Sequence, residues 1–210
     1  MNGQIMQGIG EIKGRTSSHK LDWFATIVAN LESWPISKLR FKNTQTVRPV
    51  LNLILLDTSA SILKAQSFGK AKSVVMSIAN TAYLAREQLT VLGFGNEDIT
   101  TLLPQRRAPK SLKALLDNIP AAGGTPLREM LIHAADFQQK QLKTRPNLSI
   151  KTFVISDGKT TQNFHDLSML GEVTVIDMED SSVKRGRAQE IAEVLSARYF
   201  TLPQLIMHKG

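Results

Sequence analysis

No cysteine occurs among the 210 residues, which excludes disulfide scaffolds, thiolate zinc sites and a cysteine nucleophile. Aromatic residues are few, at 6%, and no stacking motif for single-stranded nucleic acid is visible. No window reaches the ~18 consecutive apolar residues of a membrane span. The segment Met1 to Gly14 has no apolar run of secretory type. These absences point to a cytoplasmic chain with no membrane span. The four histidines, His19, His133, His165 and His208, show no ligand spacing. No phosphate loop of the Gly-x-x-x-x-Gly-Lys-[Ser/Thr] type occurs. Gly69-Lys70 lacks both the upstream Gly and the following Ser or Thr, so the chain is not an ATPase motor.

What is present is an ordinary globular balance, with 42% hydrophobic and 21% charged residues. That composition excludes a largely disordered chain. The length suits one large domain, alone or with an appendage. The formal net charge is +8. It is uneven: +4 over residues 1–50, +5 over 51–150 and −1 over 151–210. A basic front can attract nucleic acid, an anionic cofactor or an acidic partner. No run of like charges exceeds two residues, so a solvated surface is favoured.

Residues 1–18 are rich in Gly and polar residues and read as a loosely docked arm. Ser17 or Ser18 is expected to cap a helix to about Ser33, with Trp23, Ile27, Val28 and Leu31 on its apolar side. Trp23 and Trp34 read as packing residues. From Pro49 the pattern sharpens. Val50 to Leu56 is nearly all apolar and ends at Asp57, as a strand covered on both faces would. A helix is expected from about Leu63 to Arg86, then strands at Leu89–Phe94 and Ile99–Leu103, the latter stopping before Pro104. Lys110–Ile119 reads as a helix, and Pro126 opens another to about Gln141. Strands at Ser149–Ile155 and Val173–Ile176, a helix at Val183–Leu195 and a last strand at Ala197–Leu202 complete the series. The alternation argues for an α/β layered domain with a mainly parallel sheet.

Ligands of such sheets gather at the carboxyl ends of the strands. After the first strand the chain reads Asp57-Thr58-Ser59-Ala60-Ser61, and after the fourth, Ser156-Asp157-Gly158. Between them lies Gly123-Gly124-Thr125-Pro126-Leu127. In extended backbone Asp57, Ser59 and Ser61 point the same way, so their oxygens can converge. Hard divalent cations take oxygen ligands, and magnesium keeps an octahedral shell. Two serine hydroxyls, Thr125 and the carboxylates of Asp57 and Asp157 supply most of such a shell. Two carboxylates balance the ion, so a partner's carboxylate would be held strongly at a vacant position. Asp-x-Ser-x-Ser alone is equally a helix cap and loop; Thr125 and Asp157 tip the reading to a metal site.

This set resembles the metal-ion-dependent adhesion site of von Willebrand factor A (vWA) domains. The stretches from "LLDTSAS" through "IPAAGGTPLREML" and "FVISDGKTT" to "ARYFTLPQL" are similar to the carboxyl-terminal third of the D subunit of magnesium chelatase, from about Arg40 to Leu205. The resemblance implies a Rossmann-like three-layer α/β/α fold whose six-stranded sheet has its third strand antiparallel. It implies an amino-terminal extension over 1–48 with one helix, the vWA domain over 49–205 and a tail over 206–210. It makes Asp57, Ser59, Ser61, Thr125 and Asp157 the magnesium ligands or water-mediated contacts, with manganese able to substitute. It implies a non-catalytic docking module. Its partners would be a ring-forming AAA+ ATPase subunit and the large tetrapyrrole-binding subunit of a chelatase that inserts magnesium into protoporphyrin or cobalt into a corrin precursor. Ala60 stands where the family usually has Gly, and Phe94-Gly95-Asn96 where Phe-Arg-Gly is frequent.

Three other readings compete with this one. One is an adaptor of a different AAA+ system. Another is an RNA-binding vWA protein, drawing on the net charge and on Arg40, Lys42, Arg48, Arg106 and Arg107. The third is a phosphatase of the haloacid-dehalogenase type. That type needs Asp-x-Asp at the first strand, and Ser59 replaces its general acid.

Overall fold

The computed structural model describes residues 15–31, 35–36, 38–45, 48–59, 65–95, 98–119, 124, 126–179 and 186–207. The chain divides into two units, Met1–Arg48 and Pro49–Gly210.

In the first unit, strand β1 (Arg15–Leu21) pairs antiparallel with β2 (Phe41–Gln45), with helix α1 (Trp23–Val28) in the connection. Ser17 and Ser18 therefore lie in a strand, not at the start of the helix. The helix starts later because Asp22 caps it, its carboxylate accepting the Ala25 N–H at 3.1 Å. Thr26 and Asn30 are the buried residues of this segment. The Thr26 hydroxyl accepts the Arg40 N–H at 3.0 Å, and the Asn30 amide donates to the Lys38 carbonyl at 2.8 Å. Trp23, Ile27, Val28 and Leu31 are exposed instead, Trp23 at 62%. The apolar spacing was real, but it marks the outward face. Trp34 lies outside the described residues.

The second unit alternates strands and helices. Its elements are β3 (Val50–Asp57), α2 (Ala65–Leu84), β4 (Gln88–Gly95), β5 (Asp98–Arg107), α3 (Lys113–Asp117), α4 (Leu127–Thr144), β6 (Ser149–Ser156), β7 (Glu172–Asp177), α5 (Arg187–Val194), β8 (Arg198–Thr201) and α6 (Leu202–Met207). The sheet order is β5-β4-β3-β6-β7-β8. All its pairs are parallel except β4 with β5. The sequence expectation of a six-stranded sheet with its third strand antiparallel therefore holds.

Continuous apolar runs form the middle strands because helices cover both faces. Leu51, Leu53 and Leu55 face one layer with Met130, Leu131 and Ile191. Ile54 and Leu56 face the other with Ala71, Val75 and Leu116. Boundaries shift by a few residues, most tellingly at three places. Strand β5 runs through Pro104 to Arg107, which an edge strand permits because one side needs no N–H donor. Helix α3 is a short turn at Lys113–Asp117. A final helix, α6, occupies Leu202–Met207, where a tail was expected to begin at 206.

Candidate metal centre

Parallel strands β3, β6 and β7 all finish on an acid: Asp57, then Asp157 just past Ser156, and Asp177. They stand at one rim because the parallel registers are nearly in step, Leu56 opposite Ile155 and Ser156 opposite Asp177. Asp57 is completely buried. One of its oxygens accepts the Ser59 N–H at 2.9 Å and the other the Ser156 hydroxyl at 2.7 Å. The first is a local Asx-type turn; the second crosses 99 residues of sequence. Among the described residues no Lys, Arg or His pairs with Asp57. Burial raises its pKa from 3.8 to about 6, against the lowering effect of the Ser156 and Ser59 hydrogen bonds, and the Asp157 charge raises it further.

Asp157 is also buried. It accepts the Lys159 N–H at 3.2 Å and meets the Lys159 ammonium at 2.8 Å. Between them Gly158 has φ +64, and an added Cβ would lie 2.9 Å from the Ala188 nitrogen. Only glycine allows this turn to sit against α5. Thr58 fastens the β3 end to β4, its N–H and hydroxyl both donating to the Phe94 carbonyl at 2.8 and 3.1 Å.

The loop after Asp157 also ties two helices. Gln162 accepts the Arg128 N–H at 3.1 Å, at the free first turn of α4, and donates to both Glu129 oxygens at 3.0 and 3.1 Å. Arg187 of α5 donates to the Thr160 and Gln162 carbonyls. Arg128 pairs with Asp166.

Of the five ligands read from sequence, the structure brings Asp57, Ser59 and Asp157 to this rim. Ser61 and Thr125 lie outside the described residues; Gly124 and Pro126, which flank Thr125, are described. Sequence reasoning missed Ser156, Lys159, Gln162 and Arg187 as supporting groups. It also missed Asp177, which accepts the Tyr199 hydroxyl at 2.6 Å. A third apolar run ending on Asp was the available signal for it. His133 is exposed on α4. Among the described residues, no group of three or more His, Cys, Asp or Glu converges, so a metal here depends on hydroxyls beside two carboxylates.

The donor set fits a hard divalent cation. A buried carboxylate without a cationic partner is costly unless it is protonated or coordinates a metal. Asp57 is in that condition. The neighbouring groups are oxygens, with no thiolate or imidazole among them, which suits magnesium better than a softer ion.

A layered α/β domain with oxygen donors at the carboxyl rim, next to an edge strand that runs antiparallel, defines the class. The chain belongs to the von Willebrand factor type A domain family, whose model matches residues 53–159, half of its length. It is similar to the magnesium-chelatase 67 kDa subunit of Chlorobaculum tepidum, 25% identical over 190 residues. That match takes in 79% of this chain and 30% of the relative, so the chain spans under a third of that protein's length. Among solved structures, the conserved hypothetical protein BatB from Bacteroides thetaiotaomicron aligns with a TM-score of 0.56 at 17% identity, over 76% of this chain and 96% of that one. The SpRpn10 VWA domain aligns at 0.54 and 12% identity, over 77% and 95%. These two likenesses carry the fold alone. Among the described residues, no helix is long and apolar enough to cross a membrane.

Proposed function

We propose that this domain is a non-catalytic, magnesium-dependent docking module, acting within an ATP-driven assembly of the metal-chelatase kind. The observation that carries the reading is the buried Asp57 carboxylate beside Asp157 and the Ser59 and Ser156 hydroxyls, with no cation of its own among the described residues. Asp57, Ser59 and Asp157 would hold the ion, joined by Ser61 and Thr125; manganese is the natural substitute. Bound there, a divalent ion supplies a positive centre that accepts a carboxylate from a partner protein. The chain's own residues do the rest. Ser156 and the Ser59 amide aim Asp57, and the sheet rim excludes water from it. Likeness to a chelatase subunit favours a ring ATPase and a tetrapyrrole-binding subunit as the partners.

Isothermal titration of Mg2+ into the full chain tests the site, and magnesium-dependent capture of an ATPase from the native cell tests the role. Ser59→Ala, Ser61→Ala and Thr125→Ala are each expected to weaken Mg2+ binding while the domain stays folded. Unchanged affinity in all three would refute the mechanism. Retention of RNA without magnesium would favour the nucleic-acid reading instead.

A further inference from the structure

We propose that Lys159 is a tethered competitor for the divalent ion: its ammonium takes Asp157 when no metal is bound and must yield when one arrives. The inference rests on the docking reading above. The two carboxylates of the proposed site are held differently. Among the described residues, Asp57 accepts from uncharged donors, the Ser59 amide and hydroxyl and the Ser156 hydroxyl. Asp157 has both oxygens engaged by one residue, Oδ1 by the Lys159 N–H at 3.2 Å and Oδ2 by its ammonium at 2.8 Å.

Local backbone makes that double contact possible. Gly158, in the left-handed region, turns the chain back over Asp157, and its close approach to Ala188 fixes the turn. The Thr160 N–H closes it further by donating to the Gly158 carbonyl at 2.8 Å. The side chain itself is free to leave. Lys159 is 42% exposed, against 4% for the Asp157 side chain, so the ammonium regains water when it swings out.

Charge explains why it would leave. The trio of Asp57, Asp157 and Lys159 carries −1 without metal. A divalent ion takes it to +1, and lysine and ion then repel each other. A partner's carboxylate returns the trio to neutrality. Lys159 thereby weakens loading of the isolated domain and favours metal and partner binding together.

The test is titration of Mg2+ alone into the full chain and two variants. Lys159→Met keeps the length and loses the charge; Lys159→Arg keeps the charge. The Met variant is expected to bind Mg2+ about three- to tenfold more tightly, a range set by the partial exposure of the lysine. The Arg variant is expected to stay within about twofold of the wild type, because it carries the same charge. Thermal melts give a second readout. The Met variant should melt lower than wild type in EDTA and gain more from added Mg2+. Equal or weaker binding by the Met variant overturns the proposal, because the lysine then merely braces Asp157. That result leaves the docking reading intact. Wild type with no Mg2+ binding at millimolar concentration removes both.

Discussion

At the amino end of the sheet, Glu87 receives the Asn52 amide at 2.7 Å and lies 3.6 Å from the Lys151 ammonium. Nearby Gln88 accepts from Gln105 at 2.8 Å and from Arg145 at 3.0 Å. At the carboxyl end, Asp57 is buried more deeply and, among the described residues, has hydroxyl and amide donors but no cation. Both ends carry acids and amides near the sheet. One end balances its charge from within the domain and is finished structure. The other, among the described residues, carries more negative charge than its neighbours neutralise, which is the condition of a site that takes something from outside.

The contrast breaks most sharply on neutralising one acid at each end. Asp57→Asn should lower Mg2+ affinity by at least about a hundredfold, since it removes a charged ligand. It should also stabilise the metal-free chain at pH 8, by on the order of 2–3 kcal/mol from the raised pKa. Glu87→Gln should leave Mg2+ binding unchanged and cost stability, by roughly 1 kcal/mol, as Lys151 loses its partner. Calorimetry and urea melts in EDTA read both. If Asp57→Asn destabilised as Glu87→Gln does, the two ends would be alike.

Glycines give the next largest effect. Gly171, at the amino end, has φ +79, and a Cβ there would lie 2.4 Å from the Ile150 carbonyl oxygen. Gly158, at the rim, has φ +64 and the Ala188 contact. Either change to Ala should cost about 2–3 kcal/mol from backbone strain and overlap. Only Gly158→Ala should also weaken Mg2+ binding in the protein that remains folded. Gly186→Ala, with φ +67 and open space, is the strain-only control at roughly 1 kcal/mol.

In the proposed site, protons and Mg2+ would compete for Asp57. Its pKa in the folded chain is about 6 against 3.8 ordinarily. Between those values the folded chain holds a proton that the unfolded chain has released. For this group, stability therefore falls as pH rises from 3.8 to about 6 and stays low above that. Mg2+ affinity should run the other way, level above about pH 6 and falling by up to about tenfold per unit below it. Urea melts in EDTA and titrations from pH 5 to 8 check the two slopes. Asp57→Asn should abolish both slopes, and Glu87→Gln neither.

The sequence made the central strands plain because two covered faces demand unbroken apolar runs, as in Val50 to Leu56. Asp57, Ser59 and Asp157 were visible for a related reason: a buried strand that stops on an acid marks the rim. Their supports were not visible. Ser156 reaches Asp57 across 99 residues, and Lys159 returns to Asp157 only because Gly158 turns left-handed. The first unit misled for the opposite reason. The β1 and β2 sequences, RTSSHKL and FKNTQ, show no apolar alternation, so the Trp23–Leu31 spacing gave no clue to which face α1 turns inward. There, Thr26 and Asn30 are held by hydrogen bonds to the following segment.

The smallest effect bears on how the rim is braced. Pro126 provides no side-chain cap for α4, leaving its first amides unpaired within the helix. Gln162 caps one of them from the loop after Asp157 and takes Glu129 in return, much as a capping box does within one chain segment. Thr125 lies one residue before Pro126 in sequence, so this clamp links the two loops that would carry ligands. Gln162→Ala should cost about 1 kcal/mol, the usual loss for a cap. It should weaken Mg2+ binding by about threefold, because the start of α4, next to Thr125 in sequence, is then held less firmly. Gln105→Ala, which removes the comparable amide contact at the amino end, should lower stability by about 0.5 kcal/mol and leave Mg2+ affinity unchanged. If Gln162→Ala also left that affinity unchanged, the rim's hydrogen-bond network would be as purely structural as the one around Gln88.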